Sequence, residues 1–420
     1  MNAVISYFLR PSRAALEVTN IVFFCICLCF APLLGSAVSV YVISGAVYCA
    51  WHVARSDTPW PARRPIIWSA LAFLAFFLAE ALAGLAHPGG RWVAEIFENI
   101  PFLGLWPLYG IIHANRERLL GPLEKSAAAA SVLGALWTGP VKFSWERAEL
   151  MAGNPGVLAV LASILFAINV LGFSRSSDRS RWLSALGSAC SAYIILATGM
   201  RALWPVLVVV PILARLILGK MAPRKPTRFP AYVGGALFLL LVAASSFQLV
   251  SNRVGEAESD LRAAEHQDYA TSIGRRFLMW RAGYLLFLEE PIFGQGPGNS
   301  ASLMAKKTME VSGVALGYTH YHNAIITELV RSGTVGLAAL AGLFVVPFSF
   351  CLRAKKDQAA IAGFFILCCV QSAYLLSGLT GIMFGHDILD TVYLTAVTFS
   401  LYMVFGRNPV VLASEAVTAA

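Results

Sequence analysis

Charge is what this chain lacks most. Only 13% of its 420 residues are Asp, Glu, Lys or Arg and 58% are hydrophobic, against about 25% and about 45–50% in an ordinary soluble domain. A water-soluble globular core is thereby excluded. A disulfide framework is missing as well: Cys25, Cys27, Cys29, Cys49, Cys190, Cys351, Cys368 and Cys369 all fall inside apolar stretches, and none has the spacing of a metal-binding set. No G-x-G-x-x-G after a strand is present, which removes the dinucleotide fingerprint, and no internal repeat of solenoid period appears. The start, MNAVISYFLRPSRAALEVTN, has no short apolar run followed by a small-residue cleavage site. The first apolar stretch is therefore expected to stay as an anchor.

What the chain does have is apolar stretches of the length that crosses a bilayer, about 20 residues of helix. Twelve are read, at 18–34, 37–54, 66–87, 96–114, 125–140, 155–173, 182–199, 203–219, 231–249, 333–352, 359–380 and 390–406. The expectation is an all-α integral membrane protein with about 12 transmembrane helices and one long periplasmic segment carrying amphipathic helices. Its parts are 1–249 with the first nine spans, the outer segment 250–332, and 333–420 with the last three spans and a tail. With the N-terminus inside, the inner loops hold twenty of the 32 Lys and Arg residues, and the short outer loops hold only Arg91, Lys142, Arg147 and Arg201. The other eight lie in the long outer segment, which the positive-inside rule does not count. Both termini are expected on the cytoplasmic side. The net charge of +9 follows from this asymmetry and points to membrane lipids of the inner leaflet as partners, not to nucleic acid.

The polar chemistry gathers in the outer segment, which is far longer than the other loops; loops of that length are usually functional or disordered. Its acidic first part, GEAESDLRAAEHQDYATS, reads as a surface helix or cover. In SIGRRFLMWRAGYLLFLEEPIFGQGPGN, the residues Phe277, Trp280, Tyr284, Phe287 and Leu288 recur at helical spacing and predict an amphipathic helix with one apolar face. Pro291 ends it, and the glycines of GQGPGN suit a turn whose backbone approaches a ligand closely. Arg276 lies one turn before Trp280, whereas Arg281 is about 140° round the helix from Arg276 at roughly 100° per residue. An arginine at the foot of an interfacial helix also snorkels to lipid headgroups.

In THYHNAIITELVRSGTVGL, Ile325, Ile326, Leu329 and Val330 follow His322 at offsets of three, four, seven and eight. His322 is therefore expected on the apolar face of a helix, in its first turn, with Asn323, Thr327, Glu328 and Arg331 pointing elsewhere and Gly333 and Gly336 allowing a bend. The positive end of the helix dipole favours a neutral imidazole there, and a neutral imidazole accepts a proton. A structural histidine bonded to a carbonyl is the plain alternative, but two histidines beside an asparagine at an outer interface favour function. Arg201, in a turn of a few residues between two spans, calls for an anionic partner. The last outer turn, FGHDILD, offers His386, Asp387 and Asp390, and Asp387 is a candidate to orient His322. Glu80 is the strong mid-span charge; the absence of more such charges disfavours a flippase or transporter.

These residues resemble the O-antigen ligase and polymerase family of bacterial envelope glycan enzymes. RFLMWRAGYLLFLEEPIFGQGPG is similar to the family's arginine, tryptophan and Pro-Gly-x-Gly signature. HYHNAIITELVRSGTVGL is similar to its HxHN followed by a glycine-punctuated helix, and Arg201 to its outer-face arginine. Where the family often has an acidic residue before that glycine, this chain has Arg331-Ser332-Gly333. The resemblance implies a GT-C-like membrane glycosyltransferase of the bacterial inner membrane, working at the periplasmic face without metal or other cofactor. The donor would be an undecaprenyl-diphosphate-linked glycan and the acceptor a hydroxyl of lipid A-core or of another glycan. His322 would be the general base. Arg201, Arg276 and Arg281 would bind the diphosphate, with His320, Asn323 and Trp280 positioning substrate. Ligase is preferred, ahead of repeat-unit polymerase and protein O-oligosaccharyltransferase.

Overall fold

The computed structural model describes residues 12–55, 60–139, 147–175, 178–220, 269, 271–355 and 357–406. The described residues form helices and connecting turns, without a β-strand. In chain order the main helices are α1 (Arg13–Cys29), α2 (Ala37–Arg55), α3 (Arg64–Ala86), α4 (Trp92–Glu98), α5 (Arg116–Thr138), α6 (Pro155–Arg175) and α7 (Asp178–Ala197). There follow α8 (Val206–Ile217), α9 (Ser272–Glu289), α10 (Ser300–Ser312), α11 (Ala324–Arg353), α12 (Gln358–Thr380) and α13 (Asp387–Phe405).

Six of these are long and apolar enough to cross a membrane: α2, α3, α6, α11, α12 and α13. The twelve expected spans are thus not all realised as single apolar helices, and the reasons are local. Stretch 96–114 is divided into α4, a 3-10 turn that opens at Pro101 and the short helix Leu105–Gly110; α4 ends before Pro101 because proline withholds an amide and clashes with the preceding turn. The helix over 125–140 begins earlier, at the charged run RERLLGPLEK of α5, and α7 opens on DRSR. Helix α8 has 12 residues with Pro211 inside, and α1 is an apolar helix just short of spanning length. The expected span 231–249 lies outside the described residues.

Burial orders the bundle. The spanning windows of α13, α6 and α12 are 94%, 83% and 78% buried, against 28% for α2 and 33% for α11. Helix α13 therefore runs through the middle. Its threonine hydroxyls are satisfied within the helix, Thr391 by the Asp387 carbonyl at 2.8 Å, Thr395 by the Thr391 carbonyl at 2.7 Å and Thr398 by the Leu394 carbonyl at 2.8 Å, so that these three can be buried without cost in lost hydrogen bonds. At its head Phe384 sits amid Phe76, Phe102, Phe344, Tyr374 and Tyr393, with ring centres 5.0–6.1 Å apart. Helix α11 packs along α3 and carries α9 against its first turns.

The break in α11 anchors the outer elements. Gly333 has φ 65° and ψ −156°, open only to glycine, and the helix bends there as the glycine spacing predicts. The orphaned groups at the bend are met by the chain after α9: Gln295 and Gly296 amides donate to the Val330 and Arg331 carbonyls at 2.7 and 3.1 Å, while Thr334 and Val335 amides donate to the Pro291 and Ile292 carbonyls at 2.9 and 3.3 Å. The glycines of GQGPGN thus bring backbone against backbone. Gly294 faces the amides of Ser332 and Gly333, and Gly298 faces residues 89–92; the expected role in approaching a ligand is replaced by one in fastening the bend.

Candidate active site

Asn323 sets the site's position. It is the N-cap of α11, its side-chain oxygen accepting from the Ile325 and Ile326 amides at 3.0 and 3.2 Å, and its amide nitrogen donates to the Leu379 carbonyl at the end of α12 at 3.3 Å. Such a cap satisfies amides that the helix leaves free. It also moves His322 out of the helix: His322 precedes the cap, not within the first turn as the periodicity suggested. Its φ is +49°, a left-handed conformation that costs a non-glycine residue on the order of 1–3 kcal/mol and gathers at functional sites.

Neighbouring Tyr321 holds that conformation. It is fully buried; its carbonyl accepts from the Trp280 indole at 2.9 Å and its amide donates to Thr327 Oγ1 at 3.1 Å. Thr327 Oγ1 in turn donates to the Asn323 carbonyl at 2.8 Å. Gly283 leaves the room, since a Cβ there would come within 2.9 Å of the Tyr321 ring. Trp280 therefore acts on the turn's backbone. The rings of His320 and His322 lie 4.3 Å apart, centre to centre, and Tyr318 packs edge-on to His322 at 5.7 Å.

Both histidines are held neutral. Burial pushes the His322 pKa below its ordinary value, and the Arg276 guanidinium pushes it further. His320 is lowered to about 4, first by burial, then by the charges of His322 and Arg331. Its Nδ1 lies 3.3 Å from Thr319 Oγ1, and its Nε2 is buried with no partner among the described residues. Helix α9 brings Arg276 to this pair, but turns Arg281 outward. Phe277, Tyr284 and Leu288 share that outward face at 47%, 58% and 54% exposure, while Leu278, Met279, Ala282 and Leu286 are buried. The expected apolar face of α9 is thus the uncovered one, and its packed face lies beside it.

Arg201 opens a 3-10 turn after α7 that packs on α12, the helix whose end receives Asn323. Asp387 lies with its carboxylate 3.2 Å from Nδ1 of its neighbour His386, so the orienting contact seen for it is to that ring and not to His322. No group of three His, Cys, Asp or Glu side chains among the described residues is placed to hold a metal.

The sequence reading missed a charge network behind the histidines. Arg331 donates to Glu80 of α3 at 2.9 and 3.3 Å and to Glu95 of α4 at 3.0 Å. Ser332 Oγ contacts Glu80 Oε1 at 3.0 Å and also Glu328 Oε1. Glu80 and Glu328 are buried, and the signal for their pairing was the lone mid-span Glu80 facing the unusual Arg331-Ser332. With His320, Thr327 and the turn at 381–386, Glu80, Glu95, Glu328 and Arg331 line a cavity of about 350 Å³.

Residues 186–341 match the sequence profile described as O-antigen ligase. That segment belongs to the O-antigen ligase family. It carries Arg201, Arg276, both histidines and the Gly333 bend, whereas Glu80 and Glu95 lie outside it. A protein of Haemophilus influenzae, described only as uncharacterized, is 21% identical over 297 residues, covering 67% of this chain and 72% of its own length. The family resemblance read from the sequence therefore holds. With the six apolar helices, the match supports a multi-pass membrane protein and a glycosyl transfer of ligase or polymerase type.

Proposed function

We propose that this protein is an inverting, metal-independent O-antigen ligase of the inner membrane, which moves an undecaprenyl-diphosphate-linked glycan onto a sugar hydroxyl of lipid A-core at the periplasmic face. The observation that carries the reading is a half-buried His322 whose strained turn sets it against His320, with the Arg276 guanidinium acting on it to favour the neutral ring. A neutral imidazole serves as base, and a fixed guanidinium stabilises the charge of a departing diphosphate.

The acceptor hydroxyl gives its proton to His322 as its oxygen bonds to the anomeric carbon. The bond from that carbon to the diphosphate oxygen breaks on the opposite face, and its electron pair leaves on the phosphate, neutralised by Arg276 with Arg201 as second cation. Guanidinium suits this role because it stays charged and binds phosphate oxygens bidentately. No acid is needed for the leaving group, which distinguishes the reaction from glycoside hydrolysis with its paired carboxylates. Asn323 and Trp280 position the reacting turn through the bonds described above, and Arg281, on the outward face of α9, is assigned to the lipid interface instead of the diphosphate.

Purified protein in detergent, given lipid-linked repeat units alone and with added lipid A-core, tests this. A shifted core band without a ladder is expected. A ladder formed without core would replace the ligase reading by the polymerase one, and no product in either mixture would overturn both.

A further inference from the structure

We infer that the cavity behind the histidine pair is the acceptor subsite, and that its acidic walls select an uncharged or amino-bearing sugar over one carrying phosphate or carboxylate. The inference rests on the transfer reading above and extends it to the class of acceptor. A volume of about 350 Å³ lies at the small end of ligand pockets, roughly 300–1,000 Å³, which suits a terminal sugar and not a whole lipid.

Placement comes first. His320 lines the cavity and its ring is 4.3 Å from that of His322, so a hydroxyl leaving the cavity meets the base. Arg276 does not line it, which leaves the diphosphate on other walls. The lining is also chemically suited to a sugar. Phe76 and Phe384 offer aromatic surface for the apolar face of a pyranose ring. The His320 Nε2 is buried and unpartnered among the described residues, and the exposed Glu98 carboxylate at the end of α4 lines the cavity. A buried polar atom without a partner is costly in a finished structure, and a sugar hydroxyl would complete the His320 ring while the water-facing Glu98 carboxylate stays free to accept from a second hydroxyl.

Charge then decides the class. Glu80, Glu95, Glu98 and Glu328 all line the cavity, against Arg91 and Arg331. Arg331 is already engaged by Glu80 and Glu95, and Glu80 and Glu328 share the single hydroxyl of Ser332. One hydroxyl proton cannot serve two carboxylates, so one of that pair holds a proton of its own. Three negative charges still face two positive ones. Carboxylates accept from hydroxyl or ammonium groups and repel anions, which makes the wall a device against the wrong acceptor as much as for the right one.

The test compares two acceptors that differ in one group: lipid A-core ending in a neutral hexose, and the same core with that hexose oxidised at C6 to the uronic acid. Transfer is measured with the parent protein, Glu98→Gln and Glu98→Trp, and binding of each acceptor is titrated without donor. The expected result is a loss of about tenfold or more in kcat/KM on oxidation of the acceptor, narrowed several-fold by Glu98→Gln, and an acceptor KM raised about tenfold by Glu98→Trp with donor KM held within about twofold. The isosteric Gln variant keeps the test alive should the Trp variant fail to fold. Equal use of the two acceptors, or a change in donor KM in place of acceptor KM, would overturn the inference. Selective binding of the neutral acceptor without any transfer would overturn the transfer reading alone; loss of that selectivity in the binding titration would overturn the inference itself.

Discussion

At the scale of the residue, acid strength is the lever. A base must be neutral, and the His322 pKa sits below its ordinary value because the ring is half-buried and feels the Arg276 charge, so transfer should rise with pH through that lowered pKa and level off above it. Replacing Arg276 with glutamine removes the neighbouring charge, which raises the His322 pKa and should move the acid limb of the rate profile to higher pH while raising donor KM. An unmoved limb would detach Arg276 from the histidine. His320 makes a separate prediction about stability. Its pKa falls from the ordinary 6.5 of an unfolded chain to about 4 in the folded protein, so the unfolded chain takes up the proton first. The stability this contributes is present above about pH 6.5 and is lost as pH falls toward about 4. Thermal unfolding of His320→Gln in detergent should therefore lose less on acidification across that window than the parent does.

At the scale of the element, the bend in α11 is where sequence and structure agree best. Gly333 stands in a left-handed conformation with a following chain segment against it, and a Cβ there would run into the Ile292 carbonyl. Gly333→Ala should destabilise by about 1–3 kcal/mol from backbone strain alone, read as a lowered unfolding midpoint; an unchanged midpoint would mean that the bend is dispensable. The histidine turn was legible for the same reason, since polar residues against an apolar run are conspicuous. The packed face of α9 was not, because a helix lying at a membrane can be apolar on its uncovered side as well, and periodicity then marks both Tyr284 and Leu286. Nor was the Arg331 network: its partners come from α3 and α4, far back in the chain, and pairing at that distance leaves no local pattern. Breaking this buried pair should be costly. Arg331→Met leaves Glu80 uncompensated and should cost about 3–5 kcal/mol, most of it recovered by adding Glu80→Gln.

At the scale of the whole molecule, burial places α13, α6 and α12 at the centre, and the histidine turn is held between the end of α12 and the middle of α9. Composition alone made a membrane protein plain. The number of crossings was less legible, because hydropathy counts apolar residues and does not see where helices end, as at Glu98 ahead of Pro101, or that charged runs open α5 and α7. The orientation expected from the basic loops can be tested with single cysteines, since the native ones are buried or half-buried. Lys306→Cys, on α10, should react with an impermeant maleimide in intact spheroplasts, and Glu117→Cys only after permeabilisation. Labelling of Glu117→Cys from outside would reverse the assignment and put the site on the wrong face.

The most direct test of the central claim is the rate of glycan transfer by His322→Ala in lipid nanodiscs, with donor binding measured on the same sample. Loss of a general base predicts transfer slower by about 10²–10⁴-fold with donor binding retained. Transfer within about threefold of the parent rate would contradict the account, because no other described group then needs His322 to take the acceptor's proton.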